Sequence, residues 1–437
     1  MKKFLSAILF LMFAGVASAQ CIDIKVTPTA GTCYSDAQLK VEAKPVSPLP
    51  SGCPAPGSEG YFVRLEGYGT DSGLERMAGG TSGQYTFTSL NPGNYTVTVY
   101  LGVVKAFSYG NNSVPIALHL QKKGLANYFA VAYTSEGKAL REAGITLPIL
   151  VLHPQPINFD DIVKYQLEPT LYSQRITKLF LEYAEKHHLV KYPVHLKCNT
   201  GLNRLGFDLN EIDGVLALLK NNTTVTVKTA YSHLAASEDM NEKEFTENQI
   251  KTFIAFQEKI NKTFSHKVIY HQCNTSGILN YAHAQFDMVR CGIGMYGFAN
   301  DAQLQQYLTP IMTLKSVISQ IHTLQVGDSL GYNRGYIADH ITKTATIPVG
   351  HADGINRIYG KGKGFVFING KKAPIIGNVC MDMILVDVTN IPCEEGGEVI
   401  VFDKDHTAET LAESAGTISY ELITSMAHRI KRVYIEE

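Results

Sequence analysis

An α/β fold is expected from this sequence: a (β/α)8 TIM barrel followed by a C-terminal β domain, with a small all-β sandwich-like module in front. Three observations predict it. From residue 102, eight short apolar runs alternate with helix-like stretches. After about residue 306 the helical spacing fades and strand-like runs take over. Ahead of both, residues 21–101 hold 11 Gly and 7 Pro, 18 of 81 positions, against 35 of 336 in residues 102–437. That doubled density of turn formers marks a different kind of domain.

The bulk numbers bound the function. The 437 residues carry 39 Lys and Arg against 40 Asp and Glu, a net charge of −1, and are 45% hydrophobic and 18% charged. This is a globular composition with enough chain for two or three domains. Without a basic excess, no nucleic-acid partner is expected. Eight cysteines are too few, at this length, for a disulfide scaffold.

Residues 1–20, MKKFLSAILFLMFAGVASAQ, read as a secretory signal peptide. Lys2 and Lys3 form its basic start, residues 4–16 its apolar core, and Ala17-Ser18-Ala19 its cleavage site. The apolar run is shorter than the ~20 residues of a membrane span, so no span is expected and the mature chain should be secreted or periplasmic. In residues 21–101, YFVRLEGY, QYTFTSL and NYTVTVYL alternate apolar and polar positions between the turn clusters SGCPAPGSEG and NPGN. LNPGNYTVTVY loosely resembles the last hairpin of repeated sandwich modules on bacterial surface proteins. Cys21, Cys33 and Cys53 are an odd number, for which one disulfide and one free thiol is the simplest expectation.

The barrel is read from GVVKA, YFAVAY, PILVLH, PTLY, VHLK, VKTAYSH, KVIYHQCN and MVRCGIG. Near-continuous apolar runs indicate parallel strands buried on both faces. The segments between them are amphipathic, as in RITKLFLEYAEKHH, where Ile176, Leu179, Phe180 and Tyr183 recur at helical spacing. Eight such units favour a closed barrel, whose active site lies at the C-terminal strand ends. Those ends carry Lys105, then Lys197 and Arg204, His233, Asn274 with Thr275 and Ser276, and Arg290 followed by Gly292. A lone Lys at a strand end is usually solvated; polar groups at most ends of one barrel mouth mark a site.

Beyond the barrel, LKSVISQIHTLQVGDSLGY, TKTATIPVG, GFVFING, APIIGNVCMDMILVDVT and GEVIVFD read as strands. TAETLAESAG and a segment around residues 420–430 read as short helices. The expected domains are therefore 1–20, 21–101, 102–306 and 307–437. His187 and His188 should be solvated, Cys380 packed, and His271 and Cys273 should share a strand face without further ligands; no metal site is expected.

The motifs VVKAFSYG, HLKCNTGLNRLGF, YSHLAASED, HQCNTSGIL, MVRCGIGMYG, LGYNRGY, VGHADGINR, GNVCMDMILVDV and ISYEL stand in the order found in alanine racemases. Over residues 102–437 the chain resembles that family. The resemblance implies a pyridoxal 5'-phosphate enzyme that interconverts L- and D-alanine, supplying D-alanine for peptidoglycan. An amino acid's α-proton is a very weak acid, and the cofactor's ring absorbs the electron pair it leaves. By resemblance Lys105 holds the cofactor at rest and is one catalytic base, and Tyr332 is the other. Free Lys and Tyr titrate near ~10.4 and ~10, so both need help; His233 and Arg204 match positions that supply it.

Arg290 matches the arginine beside the pyridine nitrogen. Tyr109, Thr275 or Ser276, Gly292, Ile293 and Tyr420 match the phosphate site, with Asn274 beside them. Arg204 and the backbone of Met381 match the groups on the substrate carboxylate. Lys197 matches a position carbamylated in some relatives, and His351 stands where many relatives have Tyr. Family members are homodimers with composite active sites to which the tyrosine comes from the partner, and the family implies a cytoplasmic enzyme, against the exported one that the signal implies.

The family pattern also implies about thirty residues ahead of the lysine motif, and here TVTVYL runs straight into GVVKA. Either TVTVYLGVVKA is one strand shared by both parts or the parts compete for it. An uncovered barrel flank would cost about 25 cal/mol per Å² of exposed apolar surface. The alternative function is a secreted surface module carrying a truncated, inactive racemase portion; a barrel-type decarboxylase is weaker still, needing no second base at Tyr332.

Overall fold

The structure is a computed structural model. It describes residues 112–299 and 302–435, and, ahead of them, the backbone of seven strands between residues 22 and 105. The signal segment, Cys21, Cys33, Cys53 and Tyr109 lie outside the described residues.

In the N-terminal part, strands β1 (Ile22–Thr29), β2 (Gln38–Pro45) and β6 (Gly83–Phe87) form an antiparallel sheet. Strand β3 (Tyr61–Gly67) pairs with the short β4 (Thr70–Asp71) and β5 (Glu75–Arg76) and with β7 (Thr96–Lys105). The shared-strand reading of the junction holds at the backbone. Residues 96–101 of β7 pair antiparallel with β3, and residues 101–105 pair parallel within the barrel. The change of partner falls at Leu101, which is opposite both Tyr61 and Met288.

The barrel strands are β7, β8 (Tyr128–Val131), β9 (Ile149–Val151), β10 (Glu168–Leu171), β11 (Tyr192–Lys197), β12 (Val225–Tyr231), β13 (Ile269–His271) and β14 (Met288–Cys291). They match the eight runs in order, and neighbours from β7 to β13 pair parallel. β14 pairs with β7, and the β13–β14 seam is held by N–H donation from Asp287 to the Tyr270 carbonyl (3.0 Å) and from Arg290 to that of Cys273 (3.1 Å). β8 and β9 are buried at every position, as strands covered on both faces must be. One helix follows each of the first seven strands: α1 (Ser113–Lys122), α2 (Thr134–Glu142), α3 (Phe159–Lys164), α4 (Gln174–Lys186), α5 (Ile212–Lys220), α6 (Lys243–Thr263) and α7 (Thr275–Asn280).

Helix α4 shows how local sequence sets these elements. The Ser173 hydroxyl caps it by accepting from the Ile176 amide at 3.2 Å. Its buried face is Ile176, Thr177, Phe180 and Ala184, a slight rotation from the face that hydrophobicity alone marks. The helix ends at Lys186, and His187 and His188 beyond it are exposed.

Contacts divide the chain into two compact units at Gly292/Ile293. The second holds α8 (Ala302–Gln305), β15 (Leu314–Val317), β16 (Gln320–Leu324), β17 (Ser329–Leu330), β18 (Tyr336–Ile337), β19 (Thr342–Ile347), β20 (Phe365–Ile368), β21 (Lys371–Pro374), β22 (Ile384–Asp387) and β23 (Glu398–Phe402). Their sheet orders are β15-β23-β20-β21, β16-β19-β22 and β17-β18. Helices α9 (Ala408–Ser414) and α10 (Ser419–Thr424) follow, the second shorter than its sequence suggested. Within GNVCMDMILVDV only Ile384–Asp387 is strand; the start of this segment is a loop tied to the VGHADG turn.

That tie positions candidate site residues. The amides of His351 and Ala352 donate to the carbonyls of Cys380 (3.0 Å) and Met381 (2.9 Å). A Cβ on Gly350 would lie 2.4 Å from the Met381 oxygen and 2.5 Å from that of Cys380, so the approach requires glycine. Asp353 anchors the turn, accepting from Gly350 N–H (2.9 Å) and from Arg429 Nε (2.6 Å) and Nη2 (2.9 Å). Burial pushes the Asp353 carboxyl up, but the Arg429 hydrogen bonds, the Gly350 amide and the Arg429 charge outweigh it, and the carboxyl ends below its ordinary 3.8. The unfolded chain then binds the Asp353 proton more tightly than the folded one. The pair's stabilisation is complete above about pH 4 and is lost as pH falls through the depressed folded value. Asp353→Asn is expected to lower the stability of this unit by about 2 kcal/mol at pH 7. It should also flatten the acid limb of a denaturation series below about pH 4.

Candidate active site

Four strands of the barrel end on the residues that matter. Lys105, Lys197, Tyr231 and His271 are the last residues of β7, β11, β12 and β13. Arg290 lies in β14, with Gly292 just beyond it, and His233 and Asn274–Ser276 follow β12 and β13 directly. The register carries Lys105 beside Ala130 of β8 and Lys197 beside Tyr231. The first unit thus brings Lys105, Lys197, His233, Asn274, Thr275, Ser276, Arg290 and Gly292 to one end of the sheet, where parallel barrels place their chemistry.

Arg290 dominates the electrostatics. It is 1% exposed, and its guanidinium donates to the carbonyls of Ser232 (2.6 Å), Gln272 (2.9 Å) and His271 (3.2 Å). It also meets Nδ1 of His271 at 2.6 Å and Nδ1 of His233 at 3.3 Å. Among the described residues its partners include no carboxylate. Burial accordingly pulls its pKa down to about 10, still far above neutrality, so it stays charged. Burial, then Arg290, His195 and Lys197, hold the buried His271 well below its ordinary range and therefore neutral. Because arginine only donates, Nδ1 of His271 must present its lone pair and the ring proton must sit on Nε2. Arg290→Leu would leave the Ser232 and Gln272 carbonyls without this donor, whereas the His271 carbonyl keeps the Ser232 amide at 3.2 Å. An expected loss of about 3 kcal/mol in chemical denaturation checks this packing role.

Tyr231 organises the cations. Its ring stacks on His271 at 4.9 Å between centroids and 11° between planes. Lys197 Nζ and the Arg290 guanidinium each lie 5.3 Å from its centroid. Lys197, 7% exposed, donates to the Cys198 carbonyl at 3.0 Å. Sequence reading missed Tyr231 and passed over His271. The only signal was that each closes an apolar run, a position shared with Lys105 and Lys197. Strand alternation also misplaced Cys273: β13 stops at His271, and Cys273 turns into an apolar cluster with Leu234 and Ile278.

Arg204 sits exposed on the loop after β11. Asn199 builds that loop, its Oδ1 accepting from the amides of Gly201 (3.3 Å) and Asn203 (3.1 Å) and its Nδ2 donating to Asp208 at 2.8 Å. Gly206, at φ 123°, lets the chain return so closely that a Cβ would lie 2.8 Å from the Asn199 nitrogen. At the other side of the mouth, the Asn274 side chain caps α7 by accepting from Gly277 N–H at 3.0 Å. Thr275 and Ser276 are buried, and the Gly292 amide donates to Thr275 Oγ1 at 3.1 Å. Ile293, next in the chain, is fully buried.

The second unit carries the remaining candidates. Tyr332 is 73% exposed in a short turn whose next two residues, Asn333 and Arg334, both take positive φ (54° and 48°). Such a pair costs energy and is held by Asn378, whose Nδ2 donates to the Tyr332 carbonyl at 2.9 Å. Met381 is exposed, Tyr420 half-buried in α10, and His351 lines a cleft with Tyr359, Thr417 and Glu421.

The buried donors of the barrel mouth fit pyridoxal phosphate. Buried hydroxyls and an adjacent glycine amide suit its phosphate, and a charged arginine whose acceptors among the described residues are all neutral suits a pyridine nitrogen that carries no proton. Comparison with known proteins identifies the family. Residues 95–300 match the family model described as "Alanine racemase, N-terminal domain", and residues 311–434 match "Alanine racemase, C-terminal domain". The chain is 35% identical to alanine racemase 1 of Clostridium acetobutylicum over 77% of its own length and 89% of the relative's. It is 34% identical to the alanine racemase of Halothermothrix orenii over 76% and 89%. Among solved structures, alanine racemase of Clostridium difficile 630 superposes with a TM-score of 0.70 at 32% identity, covering 77% of this chain and 89% of that one. The racemase of a D-cycloserine-producing Streptomyces lavendulae gives 0.72 at 26%, covering 77% and 91%. With its barrel and its β domain both matched, and with relatives aligned over most of their length, the chain belongs to the alanine racemases, enzymes of the isomerase class.

Proposed function

We propose that this chain interconverts L- and D-alanine with pyridoxal phosphate by a two-base mechanism, in a homodimer whose sites are composite, and that the product serves peptidoglycan synthesis. The observation that carries the reading is Arg290, a buried arginine that stays charged and, among the described residues, is opposed by no carboxylate. The cofactor, when bound, supplies the sink for the electron pair left by the departing α-proton. Lys105 would hold it, Thr275, Ser276, Gly292, Ile293, Tyr109 and Tyr420 would bind its phosphate, and Arg290 would face its ring nitrogen.

The residues divide the remaining work. Lys105 moves the proton on one face of the substrate's α-carbon, and Tyr332 of the partner subunit moves it on the other. An exposed tyrosine on a strained turn suits a group offered outward. Arg204 and the Met381 backbone orient the substrate carboxylate, and His233, whose Nδ1 lies 3.3 Å from Arg290, would support the tyrosine base. A guanidinium that keeps its own proton leaves the ring a weaker sink, which disfavours decarboxylation and transamination.

Export is the second part of the proposal, because residues 1–20 have the three regions of a signal peptide; finding the mature chain in the cytoplasm of an expressing bacterium would sink it. The catalytic reading is tested by adding pyridoxal phosphate to the purified chain and assaying D-alanine from L-alanine. Formation with the cofactor's absorption band present is expected; a bound cofactor with no conversion would reject the reading.

A further inference from the structure

Beneath the site, a line of polar groups crosses a barrel interior that such folds ordinarily fill with apolar layers. Five consecutive strands contribute one residue each: Glu168 at the start of β10, His195 in β11, Thr229 in β12, His271 at the end of β13 and Arg290 in β14. His195, Thr229 and His271 are fully buried, and the Glu168 side chain is 12% exposed. Glu168 Oε2 meets His195 Nε2 at 2.9 Å, His195 Nδ1 meets Thr229 Oγ1 at 2.7 Å, and Thr229 Oγ1 meets His271 Nε2 at 2.9 Å. His271 Nδ1 then meets Arg290 Nη1 at 2.6 Å. The line climbs from the N-terminal floor to the mouth: His195 and Thr229 are register partners, Glu168 lies two residues before the partner of His195, and His271 two after that of Thr229. Tyr128 donates to the same Glu168 oxygen.

The hydrogens in this line have one arrangement that satisfies every atom. Arg290 only donates, so His271 accepts at Nδ1 and donates from Nε2. Thr229 accepts that bond, and its own hydrogen can go only to His195 Nδ1. His195 then donates from Nε2 to the carboxylate, which only accepts. All four bonds point the same way, and the two ends fix the direction. Reversing any one would set donor against donor or strand a buried polar atom, at a cost several times that of an ordinary bond.

We propose that Glu168 is a positioning residue for the reaction: through His195 and Thr229 it locks His271 in the tautomer that offers a lone pair to Arg290, and so fixes the guanidinium at the cofactor's ring. The inference rests on the racemase reading and extends it to a carboxylate at the far end of the barrel. Released from the line, the His271 ring can place a proton on Nδ1, which would face an Arg290 N–H at 2.6 Å and displace it.

Histidine-selective 15N NMR of the full-length chain, with signals assigned from single-histidine variants, tests the direction without an activity measurement. The expected result is that at pH 8 His195 and His271 each carry their ring proton at Nε2 and leave Nδ1 bare. A His195 protonated at both nitrogens, or at Nδ1, overturns the proposal. In the pyridoxal-phosphate holoenzyme, Glu168→Gln and Thr229→Val are each expected to lower kcat about tenfold and leave KM within twofold. The double variant should be no worse than either, because both break one line, and Thr229→Ser should restore the rate. Effects that multiply to about a hundredfold, or an unchanged kcat in Thr229→Val, would show that Glu168 does not act through the line. A variant that fails to fold leaves the tautomer measurement to decide. An inactive wild type with the expected tautomers would count against the racemase reading and not against the line.

Discussion

Lys105→Ala is expected to reduce racemisation by at least about 10³-fold and to abolish the near-visible absorption of the bound cofactor. In the proposed mechanism the Lys105 amine would both attach the cofactor and act as a base on the substrate. Removing a positioned acid–base group alone costs roughly 10²–10⁴ in rate, and loss of the covalent tether adds to it. Its place is dictated by the fold: it closes β7, in register with Ala130 of β8, on the edge that also pairs with the Arg290 strand. A variant with an unchanged spectrum would move the attachment to another lysine. Lys197, buried and donating to the Cys198 carbonyl, would be the nearest rival in the barrel mouth.

Tyr332→Phe should produce a different defect. Loss of one of two opposed bases is expected to lower racemisation by about 10²–10⁴-fold while sparing proton exchange on the other face. In deuterated solvent, one alanine enantiomer should then exchange its α-hydrogen faster than it inverts, whereas in the wild type both enantiomers exchange. The hydroxyl does not hold the turn together, since Asn378 bonds the Tyr332 backbone and the side chain is exposed. Stability should therefore change by less than about 0.5 kcal/mol. A variant that loses both exchange reactions equally would argue against separate bases.

The barrel was legible because its strands are buried on both faces and so read as unbroken apolar runs: YFAV and ILV are buried throughout. Strand-end chemistry followed from the same pattern, which is why Lys105, Lys197, His233 and Arg290 could be picked out together. What escaped was decided by tertiary contact. Alternation assigned His271 and Cys273 to one face, but β13 stops after three residues and the two side chains part. His195 and Thr229 sit inside runs that look merely apolar, and their polarity acquires meaning only when β11 and β12 align them. Glu168 reads as an ordinary strand-start charge until His195 reaches it from the next strand. The loop in GNVCMDMILVDV was hidden for a related reason. Its Cys380–Met381 carbonyls bond to a distant turn, whose glycine leaves space that no pattern in either segment reveals.

The most direct test of the central claim is to incubate the purified chain and pyridoxal phosphate separately with pure L-alanine and pure D-alanine, following both enantiomers to completion. Mirror-image substrates are equal in free energy, so a racemase must bring both reactions to the same equal mixture. That result is predicted, with no loss of total alanine. Binding of the cofactor without inversion from either side, or loss of alanine to an amine or a keto acid, would contradict the account.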